Sequence, residues 1–280
     1  MRLLVTGAAG MLGTDLVAAA GRAGHDALAL ARTDLDVLDA GAVRAAVGDA
    51  RPDAVVNCAA YTDVDGAEAE EAAATALNGA AAGHVAAAAH ATGAFTVQVS
   101  SDYVFDGRGA EPYVESSPTA PLGAYGRSKL AGEHAVAAAA PGTHAIARTA
   151  WLFGAHGPNF VATMLRLAGE RDALSVVDDQ VGCPTFTGHL APALVALAEA
   201  RAAGIHHVAG GGACSWFDLA AATFAARGLD VELARGRTED LGRPAPRPAY
   251  SVLRTQRADT PVLPPWEQGL HAYLEETVTA

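Results

Sequence analysis

Apolar residues follow two alternating rhythms over the first two thirds of the chain. Short β-capable runs at Arg2–Gly7, Asp26–Ala31, Ala54–Cys58, Phe95–Ser101 and Thr143–Thr149 predict strands. Between them, longer stretches at Leu12–Ala23, Ala40–Ala46, Ala69–Thr92 and Tyr125–Ala139 predict helices, the third being two helices or one bent one. Their alanine content favours helix and permits close packing on a sheet. Such alternation means βαβ crossovers and a parallel sheet covered on both faces. From about Trp151 the rhythm loosens. A helix near Asn159–Ala168, a strand near Leu174–Val177, a helix near His189–Ala202 and a strand near Gly204–Val208 precede a Pro- and Arg-rich segment, Arg235–Pro248, and a last helix at Trp266–Glu276. Residues 1–150 read as the core, and 151–280 as the last sheet elements plus a small carboxyl-terminal lobe. No linker is long enough to separate them, so the chain reads as one continuous unit.

The turn after the first predicted strand carries candidate chemistry. Gly7, Gly10 and Gly13 stand in GxxGxxG spacing and lead into a helix. Glycines let the backbone turn tightly and approach a pyrophosphate, whose charge then sits at the helix amino end. No GK[ST] follows, so this is not a P-loop. The expectation is a dinucleotide cofactor on a doubly wound α/β sheet of Rossmann type. Sites that prefer NAD place an acid at the end of the second strand. Here Ala31 stands there, followed by Arg32 and Thr33. This favours NADPH, with NADH possible: Arg32 either meets a 2′-phosphate or lies in solvent.

Tyr125 and Lys129 form a YxxxK pair within AYGRSKLAGE. Four residues apart on a helix, they share one face. An ammonium beside a phenol favours the phenolate, so Lys129 is expected to lower the Tyr125 pKa and make it an acid for an alkoxide. With a nicotinamide cofactor, the pair suggests hydride transfer to or from a carbonyl.

Composition narrows the class. The 280 residues, 51% hydrophobic, carry a net charge of −12 and scatter their 19 Lys and Arg, which argues against nucleic acid. Cys58, Cys183 and Cys214 form no CxxC pair, so no zinc site or disulfide framework is indicated. No apolar stretch of membrane-spanning length occurs and no signal-peptide pattern opens the chain, so a cytoplasmic protein is expected.

Several segments together resemble one family. GAAGMLG, NCAAYTDVDGAE (57–68), VSSDYVFDG (99–107), YGRSK (125–129), RTAWLFG (148–154), DQVGCPT (179–185) and RPAYSVL (247–253) stand in the order found in dTDP-4-dehydrorhamnose reductases of the extended short-chain dehydrogenase/reductase superfamily. The resemblance implies a triad of Ser101, Tyr125 and Lys129, with Ser101 holding the substrate carbonyl oxygen. It also implies that Asn78 orders this network, although a helix-end role serves it equally. Gly10, Met11 and Leu12 would line the pyrophosphate, Asp36 and Val37 the adenine side, and Ala59, Ala60, Tyr61 and Thr62 the loop facing the cofactor. Asp102, Tyr103 and Trp151 would face the sugar, Trp151 having core packing as its alternative. Arg247 would bind the diphosphate, with Arg243 and Arg254 as competitors. Asp65 and Glu68 read as capping residues of their own helix. Some members of the family dimerise through magnesium held by glutamates; Asp15 stands at one such place and is too short, so no metal is expected and the protein is a monomer or homodimer. Asp102 followed by Tyr103 lacks the Asp-Glu pair of dehydratases. The implied activity is reduction of a dTDP-4-keto-6-deoxyhexose, dTDP-4-dehydrorhamnose first among them. Other deoxysugars, or a regulatory role like that of the methionine adenosyltransferase subunit, are the alternatives.

Overall fold

Six parallel strands form the central sheet: β1 (Arg2–Thr6), β2 (Asp26–Leu30), β3 (Ala54–Asn57), β4 (Phe95–Ser101), β5 (His144–Thr149) and β6 (Gly204–His207). The computed structural model describes residues 1–279. Strand order is β6-β5-β4-β3-β1-β2, so the chain reverses direction across the sheet between β1 and β3. In open sheets of this kind, ligands bind outside the carboxyl ends of the strands at that reversal.

The sheet is buried on both faces, which explains why its strands read as unbroken apolar runs. Successive β1 residues split between two cores. Leu3 and Val5 pack with Leu16 of helix α1 (Met11–Arg22) and with Leu190 and Leu194 of a helix at Thr187–Ala200. Leu4 and Val55 pack on the other face with Val43 and Val47 of helix α2 (Ala40–Ala50) and Val85 of a helix at Ala81–Ala91. Each of these strand residues is fully buried, and truncating Leu3 or Leu4 to alanine would cost ~2–5 kcal/mol.

The stretch expected as one bent helix or two is broken further. Short helices at Gly66–Ala69 and Glu71–Thr75 run into a π-helical turn at Ala76–Ala80 before the Ala81–Ala91 helix. Such turns often mark functional positions, and this one carries Asn78. Beyond β5 the lobe is built from three small strand pairs: Leu152–Phe153 with Thr185–Phe186, Val181–Gly182 with Cys214–Ser215, and Ala173–Val177 with Glu232–Gly236. A terminal helix, Trp266–Thr279, packs its Trp266 and Leu270 into the aromatic core of the lobe. Among the described residues no helix is long and apolar enough to cross a membrane.

Candidate active site

The carboxyl ends of β1, β3, β4 and β5 open onto a cavity of about 930 Å³. At one end lies the glycine turn. Gly7 has φ +66°, and a Cβ on it would come within 2.7 Å of the Ala59 nitrogen. A Cβ on Gly13 would meet the Gly7 carbonyl at 2.3 Å. Only glycine fits either place. Gly10 begins α1 without a side-chain cap, and no acid stands in the first turn. The free N–H groups of that turn therefore suit an anion. Met11 and Leu12 line the same wall.

Arg32 lines the cavity and is exposed. Asp34 folds back, accepting the Ala31 N–H at 2.8 Å, which ties its carboxylate to the backbone at the end of β2. Asp36 accepts the Leu38 N–H at 3.0 Å, and both Asp36 and the buried Val37 line the cavity. Ala59, Ala60 and Thr62 line it as well. Tyr61 is placed differently: its hydroxyl donates to Glu70 Oε2 at 3.0 Å, outside the cavity lining. The Tyr61 backbone is held by Asn78, whose Oδ1 accepts the Tyr61 N–H at 2.8 Å while Nδ2 donates to Tyr61 O at 3.0 Å and Ser128 Oγ at 2.9 Å. Ser128 in turn donates to the Tyr125 carbonyl. Asn78 thus ties the loop after β3 to the helix at Ala124–Ala139 that carries Tyr125 and Lys129.

Ser101, Tyr125 and Lys129 meet in this cavity. Ser101 ends β4 and donates its hydroxyl to Asp102 Oδ1 at 2.9 Å. Lys129 is buried, and its Nζ donates to the Val99 carbonyl at 2.8 Å. Burial lowers the ammonium to about 8, partly opposed by Glu133. The expected lowering of the phenol does not occur. Burial, reinforced by the Asp102 carboxylate, pushes Tyr125 up to about 12, and only the Ser101 hydroxyl acts the other way. Lys129 is directed at a backbone carbonyl, so the phenol keeps its proton at neutral pH.

Asp102 is fully buried, and burial raises its carboxyl to about 6 despite the Ser251 and Ser101 hydroxyls. Its Oδ2 and the Ser251 Oγ both lack a partner of hydrogen-bonding geometry. Tyr103 stands edge-on to Tyr125, ring centres 5.4 Å apart. Trp151 lines the cavity, together with Trp216, which no sequence motif marked. The only sequence signal for Trp216 is an aromatic residue opening a helix, and such residues usually serve a core.

Arg247 lies outside the cavity lining. It makes two 2.9 Å bonds to the Asp65 carboxylate, which Arg243 also reaches at 3.1 Å. The Arg247 bond, ahead of the others, holds Asp65 far below the usual carboxylate range. Asp65 therefore anchors the arginine-rich segment and does not cap its own helix. Glu68 caps elsewhere too: it accepts the Ala124 N–H at 2.7 Å, at the start of the Tyr125 helix. Arg254 is exposed. The thiols of Cys58 and Cys183 are each raised to about 12 by burial, as suits inert packing residues. Asp15, His156 and Glu276 bring ligand atoms within 4.8 Å of one another.

The sequence profile of the RmlD substrate binding domain family matches residues 1–279. The chain belongs to this family. Similar members include a dTDP-4-dehydrorhamnose reductase of Streptomyces griseus, 50% identical over 91% of this chain and 86% of that protein. A dTDP-4-keto-6-deoxy-D-glucose reductase of Streptomyces niveus is 46% identical over 90% and 88%. The crystal structure of a dTDP-4-dehydrorhamnose reductase from Bacillus anthracis, in complex with NADP, superimposes with a TM-score of 0.95 at 37% identity, over 98% of this chain and 99% of that one.

Proposed function

We propose that the chain reduces the C4 keto group of a dTDP-4-keto-6-deoxyhexose, dTDP-4-dehydrorhamnose foremost, using NADPH. The observation that carries this is the meeting of Ser101, Tyr125 and Lys129 with the glycine turn and exposed Arg32 in one cavity. The names of the Streptomyces and Bacillus relatives support the same activity and cofactor. The cradle left by Gly7 and Gly13, and the uncapped start of α1, fit a pyrophosphate. Arg32 suits a 2′-phosphate. When bound, NADPH supplies the hydride that reaches sugar C4.

The residues of the chain do the rest. Ser101 turns its hydroxyl, which donates to Asp102 in the free protein, to the carbonyl oxygen. Tyr125 delivers its proton to that oxygen as the C–O π bond breaks, leaving a hydroxyl on C4 and a phenolate to be reprotonated from solvent. A phenol near 12 keeps its proton until an alkoxide, which is more basic, develops. The Lys129 ammonium then stabilises the phenolate. Asn78 keeps the catalytic helix and the cofactor loop in register. Trp151, Asp102 and Tyr103 form the sugar end. Arg247, released from Asp65 or acting beside it, serves the diphosphate. The protein acts in the cytoplasm as a monomer or homodimer, with residues 1–150 as the cofactor core and 151–280 completing the sheet and substrate lobe.

The test is NADPH oxidation at saturating cofactor against dTDP-4-keto-6-deoxy sugars that differ at C3 and C5. Turnover with at least one of them is expected. A protein that binds NADPH and dTDP but oxidises no cofactor with any of them would be a binding subunit, and the proposal would fail.

A further inference from the structure

Trp216 lies outside every motif that points to the site, yet it shares the cavity with Tyr125. Pairing of Cys214 with Gly182 and of Ser215 with Val181 brings it there. Its indole lies flat on that of Trp151, with ring centres 3.6 Å apart and planes 3° from parallel.

Trp151 itself has φ +48°, in the left-handed region that a bulky side chain seldom occupies. Such a conformation persists only where the surroundings over-determine it. Trp216 covers one face of the ring. Gly182 abuts its edge so closely that a Cβ there would stand 2.4 Å from Trp151 Cε2. The Trp151 carbonyl accepts the Thr185 N–H at 3.1 Å.

Trp216 is fixed in its turn. Its Nε1 donates to Gln180 Oε1 at 3.0 Å. The buried Gln180 donates through Nε2 to Thr238 Oγ1 at 2.9 Å, and Thr238 donates to Asp179 at 2.6 Å. The Phe160 ring tilts against Trp216 with centres 4.6 Å apart. A capping box between Ser215 and Asp218 sets the start of the helix on which Trp216 is the first residue. Two indoles and a chain of polar side chains are therefore arranged to keep one aromatic surface still at the cavity wall.

We infer that Trp216 is a positioning residue for the sugar: it holds Trp151 as a rigid wall for the apolar face of the deoxyhexose, and Gln180 and Thr238 hold Trp216. This rests on the cavity being the keto-sugar site. The indole nitrogen of Trp216 is already committed to Gln180, so its contribution is stacking and orientation. The effect should fall on the sugar and spare the nucleotide and the cofactor.

The test compares the full-length wild type with Trp216→Leu and Trp216→Phe. Parallel stacked indoles couple their electronic transitions, so the wild type should show an exciton couplet in circular dichroism that Trp216→Leu removes. Calorimetry with dTDP and with the reduced dTDP-6-deoxyhexose then isolates the sugar's contribution to affinity. Trp216→Leu should erase about ten-fold of the advantage of the sugar nucleotide over dTDP, as expected for one lost aromatic contact. Binding of dTDP and the KM for NADPH should stay unchanged, because the inferred role concerns the sugar alone. Trp216→Phe should restore most of the sugar increment. The inference is overturned if that increment survives in Trp216→Leu, or if sugar nucleotide, dTDP and NADPH all weaken together, as in a collapsed lobe. Wild-type protein that binds the sugar nucleotide no better than dTDP would instead refute the keto-sugar site itself, and this inference with it.

Discussion

Replacing Asp102 by asparagine tests the electrostatics of the site through stability. The Asp102 carboxyl is raised from its ordinary 3.8 to about 6 by burial, and one of its oxygens has no hydrogen-bond partner. A group whose folded value lies above its unfolded value binds its proton more tightly when folded. Its stabilisation is complete below the unfolded value and is lost as pH rises through the folded one. Over the whole range this amounts to about 3 kcal/mol, at about 1.4 kcal/mol per decade. Between pH 8 and pH 5, most of the folded group gains its proton while the unfolded group does not. The wild type should gain roughly 1 kcal/mol from this group over that interval. Asparagine cannot titrate, and its side-chain oxygen still accepts the Ser101 hydroxyl. Asp102→Asn should therefore be the more stable protein at pH 8, with its lead shrinking by roughly 1 kcal/mol at pH 5. Urea unfolding of both proteins at the two pH values measures this, and every other titrating group cancels in the difference. A lead that is the same at both pH values would mean that Asp102 is not a buried, poorly solvated carboxylate.

Tyr125→Phe should lower kcat by ~10²–10⁴-fold, the usual worth of a general acid, while cofactor affinity measured by fluorescence titration changes little. Turnover within a few-fold of wild type would remove Tyr125 from the acid role. Arg32→Ala should reduce kcat/KM for NADPH about ten-fold and leave NADH unaffected, since an exposed charge-assisted bond contributes ~1.5 kcal/mol. An unchanged ratio between the two cofactors would show that Arg32 serves only solvent.

What could be seen in the chain divides by range. The glycine turn, the sheet strands and the YxxxK helix are written in local spacing, and β4 runs over Phe95–Ser101 as its pattern predicts. Ser101, Tyr125 and Lys129 share the cavity because strand end and helix start are positioned by that local pattern. Contacts between distant segments were not legible. Arg247 carries the right chemistry for a phosphate, but nothing in RPAYSVL reveals that Asp65 holds it through two bonds. Glu68 reads as a cap for its own helix and instead caps the one beginning at Ala124. The titration of the Tyr125 phenol is hidden from the sequence for a related reason. Helical spacing places Lys129 on the right face, whereas burial and the Asp102 carboxylate, which decide the titration, depend on the folded surroundings. Trp216 reaches the cavity only through a two-residue strand pair with Val181–Gly182, too short to leave a signal.

Isotope placement shows whether hydride passes from the cofactor to C4 of a nucleotide-linked keto sugar. The protein would be incubated with NADPH carrying deuterium at nicotinamide C4, in the transferable position, together with dTDP-4-dehydrorhamnose. Mass spectrometry and NMR of the isolated nucleotide sugar then locate the label. One deuterium, bonded to C4 of the deoxyhexose, should appear in step with NADP formation. Cofactor oxidation without deuterium at C4, or an unreduced 4-keto sugar beside bound cofactor, would contradict it.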